Sequence, residues 1–105
     1  MSVSANLVVL MGYVGRAETT TRGGKDKTTI SVATHSFSRG AEKTDWHSVT
    51  FWDDEDAQSV YKGDLVVIEG KLSYYNVTAF KEDGSEIRVK RPSINGREIT
   101  VLPKI

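Results

Sequence analysis

Through most of this chain apolar residues recur at every second position, a period that strands satisfy and helices do not. Over residues 65–80, Val66, Ile68 and Leu72 alternate with Glu69, Lys71, Ser73 and Tyr75. Over 27–37, Ile30 and Val32 point to one side. The same reading predicts strands over 5–17, 44–52, 86–91 and 97–102. Gly12 and Gly15 interrupt the first, as residues at a bulge or sharp bend do. Turns or loops are expected at RGGKD (22–26), SRGAEK (38–43), EDGSE (82–86) and around Pro92 and Asn95-Gly96. Only DDEDAQSVY (53–61) reads as a helix, with acids at its N-terminal end as the helix dipole prefers and KGD (62–64) ending it. Five or more strands, one short helix and a bent first strand predict an all-β closed barrel. Closure removes the edges that such a sheet would otherwise expose.

With 105 residues the chain is expected to form one domain, residues 1–105, with one modest core. No apolar run approaches the roughly 20 residues of a membrane span, and the apolar start of the chain has no basic region before it. No membrane partner is expected. The absence of cysteine excludes disulfides and thiolate metal sites. The 14 basic and 14 acidic residues balance, which argues on its face against a polyanionic partner. Their distribution softens that objection. Asp53, Asp54, Glu55 and Asp56 form one acidic block, and without it the basic residues are in surplus. Arg88, Lys90, Arg91 and Arg97 have no acidic residue among them. A neutral total therefore allows a positive face.

The stretch KTDWHSVTFWDD, residues 43–54, carries the main functional signal. On a strand, His47, Val49 and Phe51 share one face, and Trp46, Ser48, Thr50 and Trp52 the other. Both tryptophans of the chain thus sit on the polar side, about 20 Å apart at ~3.3 Å per residue. Tyr75 shares a face with Lys71 and Ser73, and Phe37 shares parity with Thr29 and Ser31. Aromatic rings among polar and cationic residues suit single-stranded nucleic acid, whose bases stack while Lys and Arg follow the backbone. The competing account is that barrel curvature or a subunit interface buries the rings. No enzyme activity, cofactor or metal is expected. Asp45, His47 and Ser48 are neighbours whose alternation separates them, so they form no triad. His35 and His47 lack further ligands. His47, on the apolar face, is expected in a core or interface, and the acidic block reads as a solvated helix start.

These segments resemble the single-stranded DNA-binding proteins of bacteria and mitochondria. NLVVLMGYVGRAE is similar to their first strand, ISVATHSF to their second, KTDWHSVTFW to their third-strand signature, and YKGDLVVIEGKLSYY to their Lys-Gly turn and fourth strand. The likeness spans residues 6–102. It implies a five-stranded oligonucleotide-binding (OB) barrel with its helix between strands three and four and an extended β-hairpin after strand four. It also implies a homotetramer (or a dimer) that binds and protects single-stranded DNA in replication, recombination or repair, with RNA as an alternative ligand. The implied locations are the cytoplasm, at the nucleoid, or the mitochondrial matrix after removal of a presequence.

Carried over residue by residue, Trp46 matches a stacking tryptophan and Trp52 a DNA-contacting phenylalanine. Phe37 lies near a stacking tryptophan of the loop after strand two. The family's last stacking position falls at Val77, a departure for which Tyr75 on the same face is the substitute. His47 matches a histidine placed toward the subunit interface. The cations expected at phosphates are Lys71, Lys43, Arg88 and Arg16. The 38–43 and 53–61 segments are shorter than usual, and the acidic block is unusual. The sequence stops at Ile105, where bacterial members usually continue into an acidic-tipped tail; it is either a truncated form or a tailless relative. The alternative function is therefore a tailless assembly module, of primosomal or RNA-editing type, working through protein or RNA contacts.

Overall fold

A computed structural model describes residues 3–103; the extreme ends of the expected 1–105 domain lie outside the described residues. The elements follow in the order β1 (Val8–Arg22), β2 (Lys25–Ser38), β3 (Ala41–Trp52), α1 (Glu55–Gln58), β4 (Leu65–Phe80) and β5 (Glu86–Val101). The strands close into a barrel in the order β1-β2-β3-β5-β4, with β4 returning to β1. All pairings are antiparallel except that of β3 with β5. This is the all-β, five-stranded OB architecture expected, with its helix between β3 and β4. The β4–β5 pairing runs out to Phe80↔Glu86, giving the extended hairpin.

Two expected loops are shorter than anticipated, and the strands longer, because of turn chemistry. Gly23-Gly24 (φ 58° and 79°) and Arg39-Gly40 (φ 50° and 78°) are two-residue turns with positive φ. That backbone hand matches the twist of paired strands, so the strands run right up to the turn. The expected loop at 38–43 thereby shrinks to Arg39 and Gly40.

A third expectation is overturned. Pro92 and Asn95-Gly96 do not form a loop; β5 is continuous from Glu86 to Val101. Pro92 pairs with Tyr74, while β3 meets β5 only at Ile94 and Asn95. One side of β5 is thus a free edge at Pro92, where a residue lacking an N–H is tolerated. Just beyond, the strands carry a bulge: the register shifts between Glu69 and Gly70, opposite Glu98 and Gly96, with Arg97 the extra residue.

The helix expected over 53–61 is a single turn. Asp54 caps it by accepting the Ala57 N–H at 3.0 Å, as N-cap carboxylates do. Asp53 adopts φ 47° and accepts the Asp26 N–H at 2.8 Å, tying the segment to β2. The acidic block is therefore the helix start that the sequence suggested. Ala57, with Val60 just beyond the helix, joins the core.

That core holds Ile30, Val32, Val49, Phe51, Val66 and Ile68, all essentially inaccessible. Each such side chain contributes about 1.5–3 kcal/mol by leaving water. Gly12 makes the wall possible: a Cβ there would lie 1.9 Å from the Ala33 carbonyl oxygen, so no larger residue lets β1 approach β2 so closely. Asn6 prolongs the pairing of β4 with a side chain. Its Oδ1 accepts the Leu72 N–H at 2.9 Å and its Nδ2 donates to the Leu72 carbonyl at 2.6 Å. At the hairpin tip, Ser85 donates its hydroxyl (2.6 Å) and its N–H (2.9 Å) to Asp83 Oδ1. These bonds, the hydroxyl first, hold the Asp83 carboxyl below its ordinary value.

Candidate functional site

The outer wall of β1, β2 and β3 is set by one bulge. The β1–β2 register shifts between Val14 and Arg16. The extra residue, Gly15, reverses the inside–outside alternation of β1 beyond it. Arg16 and Glu18 then lie outside, in rows with Ser31 and Thr29, and Ala17 turns inward against the core. The rows continue onto β3 as Ala33↔Trp46, Ser31↔Ser48, Thr29↔Thr50 and Lys27↔Trp52. The face that the sequence marked as polar with two tryptophans is thus the outside of the barrel.

Gly15 has a second role. A Cβ on it would come 2.3 Å from Trp46 Cζ3, so the indole closes down on bare β1 backbone. With Ala33 as cross-strand partner, Trp46 has a floor of small residues and a free upper surface. Trp46, Trp52, Phe37 and Tyr75 expose 61, 49, 78 and 54% of their surface. Within the chain, barrel curvature does not bury them.

Trp52 and Tyr75 come together across a groove of about 470 Å³. Its lining is Lys27, Thr29, Ser48, Thr50 and Trp52 from β2 and β3, with Tyr75, Pro92, Ser93 and Asn95 from β4 and β5. The short parallel pairing Thr50↔Asn95 brings these halves together. None of the nine side chains is acidic. Lys27 Nζ lies over the Trp52 ring, 5.8 Å from its centre, a cation–π distance. Asn95 Nδ2 donates to Ser73 Oγ at 2.6 Å and stiffens the groove floor. A shallower depression lined by Arg16, Glu18, Thr29, Ser31 and Ser48 shares two residues with the groove and leads from it toward Trp46.

The carboxylates are occupied elsewhere. Asp54, Asp64 and Asp83 each accept a backbone N–H in a cap or turn, and Asp53 accepts that of Asp26 in β2.

The expected cations fall in different places. Lys71 is exposed, pairs with Asn95 at the groove and has no ion-pair partner among the described residues. Arg16 is on the wall but pairs with Glu18. Lys43 lies 3.5 Å from Asp45 and, by alternation, on the opposite side of the β2–β3 ribbon from Trp46 and Phe37. Arg88 pairs with Thr78, on the side of the β4–β5 ribbon away from Tyr75. Lys27 and Arg91, the cross-strand neighbour of Tyr75, are further cations at these positions that the sequence reading does not select. Arg91 was visible as part of the basic run. Only the hairpin register shows that Arg91, and not Arg88, is the cross-strand neighbour of Tyr75. His47 is half-buried, with Nε2 2.8 Å from the Thr34 hydroxyl. Asp45 and His47 face one way and Ser48 the other.

A separate exposed apolar area lies on the wall of β1, β4 and the end of β5. Val9, Met11 and Tyr13 are each 56% exposed, in rows with Glu69, Val67 and Leu65. Glu98 adjoins Glu69.

The family described as "Single-strand binding protein family" matches residues 5–101. Among solved structures, the chain is similar to a Plasmodium falciparum protein described as an SSB complex with ssDNA. Identity is 22%, coverage 98% of this chain and 99% of that one, and the TM-score 0.72. It is also similar to Rim1, a mitochondrial single-stranded DNA binding protein of S. cerevisiae, at 23% identity, 95% and 97% coverage and a TM-score of 0.67. At these identities the likeness establishes the barrel. No curated protein matches the sequence significantly.

Proposed function

The chain belongs to the single-strand binding protein family, and from that premise we propose that it binds single-stranded DNA through the outer wall of β2 and β3 and the adjoining groove. Bases stack on Trp46, Trp52, Phe37 and Tyr75. Lys27, Lys71, Arg91 and Arg16 neutralise phosphates. The observation that carries this reading is the acid-free groove between two exposed rings, Trp52 and Tyr75, flanked by cations. Each stacked base contributes ~1–3 kcal/mol and does so for any base, so the binding has little sequence preference. Ser, Thr and Asn groups of the groove hydrogen-bond bases or sugars without selecting one.

The protein's task on this reading is to hold and protect exposed single strands during replication, recombination or repair, wherever these occur, in the nucleoid-bearing cytoplasm or the mitochondrial matrix. It carries out no bond-breaking step. His47 Nε2 meets the Thr34 hydroxyl at 2.8 Å, but among the described residues no carboxylate hydrogen-bonds that imidazole to complete a triad.

We further propose that the chain works as a homo-oligomer, a tetramer by family likeness. The apolar wall of Val9, Met11 and Tyr13 supports this, since a monomer gains nothing from leaving three such side chains exposed together. His47, half-buried and paired with Val32, remains the proposed interface histidine.

The test is a tryptophan fluorescence titration with oligo-dT at low and raised salt. Stacking predicts quenching on binding, and phosphate contact predicts an affinity that falls linearly on a log–log salt plot. Unchanged fluorescence with no measurable binding at low salt would remove the reading and favour an assembly module.

A further inference from the structure

β1 pairs with β2 only as far as Tyr13↔Ala33, while β2 and β3 stay in register out to Ser38↔Ala41. On the face of Trp46 the rows of this ribbon run Ala33↔Trp46, His35↔Thr44 and Phe37↔Glu42. His35 thus stands between the rows that carry the exposed rings of Trp46 and Phe37. Those rows are four residues apart, about 13 Å at ~3.3 Å per residue. A strand whose bases stack on both rings carries its sugar-phosphate backbone past His35.

The same rows hold an acid on a face otherwise suited to a polyanion. Glu42 is the cross-strand partner of Phe37, and its Oε1 lies 3.4 Å from His35 Nδ1. Thr44 Oγ1 lies 2.9 Å from the same nitrogen. A carboxylate only accepts hydrogen bonds, so the nitrogen facing it carries the hydrogen of a neutral ring. That leaves Nε2 as an acceptor on an exposed side chain, with no partner among the described residues. Its lone pair repels a phosphate oxygen. A second proton, on Nε2, turns that repulsion into a charged hydrogen bond. Imidazole is the side chain that makes this change between about pH 5 and 8. Glu42 is the charge that faces His35 from β3. Tyr13 is the titratable group of β1 in the adjoining row, and Arg39 is in the turn beyond Phe37. Lys43 and Asp45 stand on the reverse face of the ribbon, 3.5 Å apart. An exposed pair such as that of His35 with Glu42 is weak; a phosphate on Nε2 is the second negative charge that favours the imidazolium.

We propose that His35 is a proton-linked phosphate contact: as a strand settles between Trp46 and Phe37, His35 Nε2 takes a proton from solvent and donates it to the backbone phosphate, while Glu42 holds Nδ1. The complex then carries more protons than the free protein, so by linkage affinity rises as pH falls through neutrality. The proposal rests on the single-strand reading above and adds to it a regulation by pH.

The test is fluorescence anisotropy with labelled oligo-dT at fixed salt, from about pH 8 down to about pH 6, across the range in which imidazole titrates. Calorimetry in buffers of different ionisation enthalpy reads the protons taken up in the same reaction. The wild type should gain roughly three- to tenfold in affinity over that range, with up to about one proton taken up per site. His35→Gln should flatten the profile and abolish the proton uptake. At about pH 6 it should bind as the wild type does at about pH 8. Glu42→Gln should move the rise to lower pH, because the carboxylate that favours the imidazolium is gone. Both side chains are exposed and outside the core, so neither change threatens the fold. If the wild type binds oligo-dT at no pH, the single-strand reading itself fails. If it binds with a flat profile, or if His35→Gln keeps the rise and the proton uptake, that reading stands and the proton link is wrong. A rise that Glu42→Gln leaves in place overturns the part given to Glu42.

Discussion

Two walls of this barrel expose large apolar side chains, and they differ in what stands among them. On the wall of β2 and β3, Trp46 and Trp52 are interspersed with serine, threonine and lysine, and no carboxylate lines the groove. On the wall of β1, β4 and the end of β5, Val9 and Met11 lie beside or near Glu69 and Glu98, while Tyr13 marks the border between the walls, in the row of Ala33 and Trp46. Flat rings with cations offer a polyanion both its bases' apolar partner and its phosphates' counter-charge. Aliphatic side chains rimmed by acids repel a polyanion and suit another protein surface. Exposure of apolar area alone does not say what a face binds; the sign of the neighbouring charge does.

The comparison breaks most readily at the tryptophans. Trp46→Ala and Trp52→Ala should each cost ~1–3 kcal/mol of binding to oligo-dT, and together the largest loss of any pair on the wall, with the salt slope barely changed. Fluorescence anisotropy with a labelled oligonucleotide measures this. A double variant that folds and binds as tightly as the wild type would make the rings structural.

Next in size is the other wall. Met11→Glu places a third acid beside Glu69 and Glu98, and an unpaired or like charge at an interface costs several kcal/mol. Light scattering should report a smaller particle at micromolar concentration. A wild type that is already monomeric would remove the distinction between the walls.

Gly15→Ala sharpens the first wall from below. Its Cβ would meet the Trp46 ring at 2.3 Å, so the indole must lift or rotate. Affinity should fall by up to about the tenfold expected from weakening one platform. The melting temperature should change little, since Trp46 can move into solvent. Near-ultraviolet circular dichroism follows the ring directly, and an unchanged spectrum with unchanged affinity would mean the ring is not seated on Gly15.

The smallest effect belongs to the cations. Lys27→Ala and Lys71→Ala should each lower the salt slope by about 0.7, with a modest loss of affinity. Glu69→Ala, on the opposite wall, should leave the slope alone. Equal changes at all three positions would mean that overall charge, and not the placement of cations, governs binding.

Much of this was legible in the order of residues because it depends on neighbours in the chain. Period two selects strands, Gly12 and Gly15 mark a bulge or bend in the first of them, and the acids at 53–56 mark a helix start. The parity of Trp46 and Trp52 puts them outside if Val49 and Phe51 are inside. The misreadings share a cause. Pro92 and Asn95-Gly96 are turn signals at short range, yet pairing with β4 holds them in a strand. Arg39-Gly40 is a turn so tight that it cost the flanking strands nothing, where a six-residue loop was expected.

What the sequence determined by itself is therefore the set of faces: which residues of each strand share a side, and that one strand puts aromatic rings on its polar side. Which faces meet was decided only by the tertiary structure. Trp52 and Tyr75 share a groove because two residues of β3 pair in parallel with β5. Arg91, and not Arg88, stands with Tyr75 because the hairpin register says so. Alternation is a property of backbone geometry within a strand, fixed by bonds between neighbours. Register and closure come from hydrogen bonds and packing between segments tens of residues apart, and a single residue of slip would exchange every face.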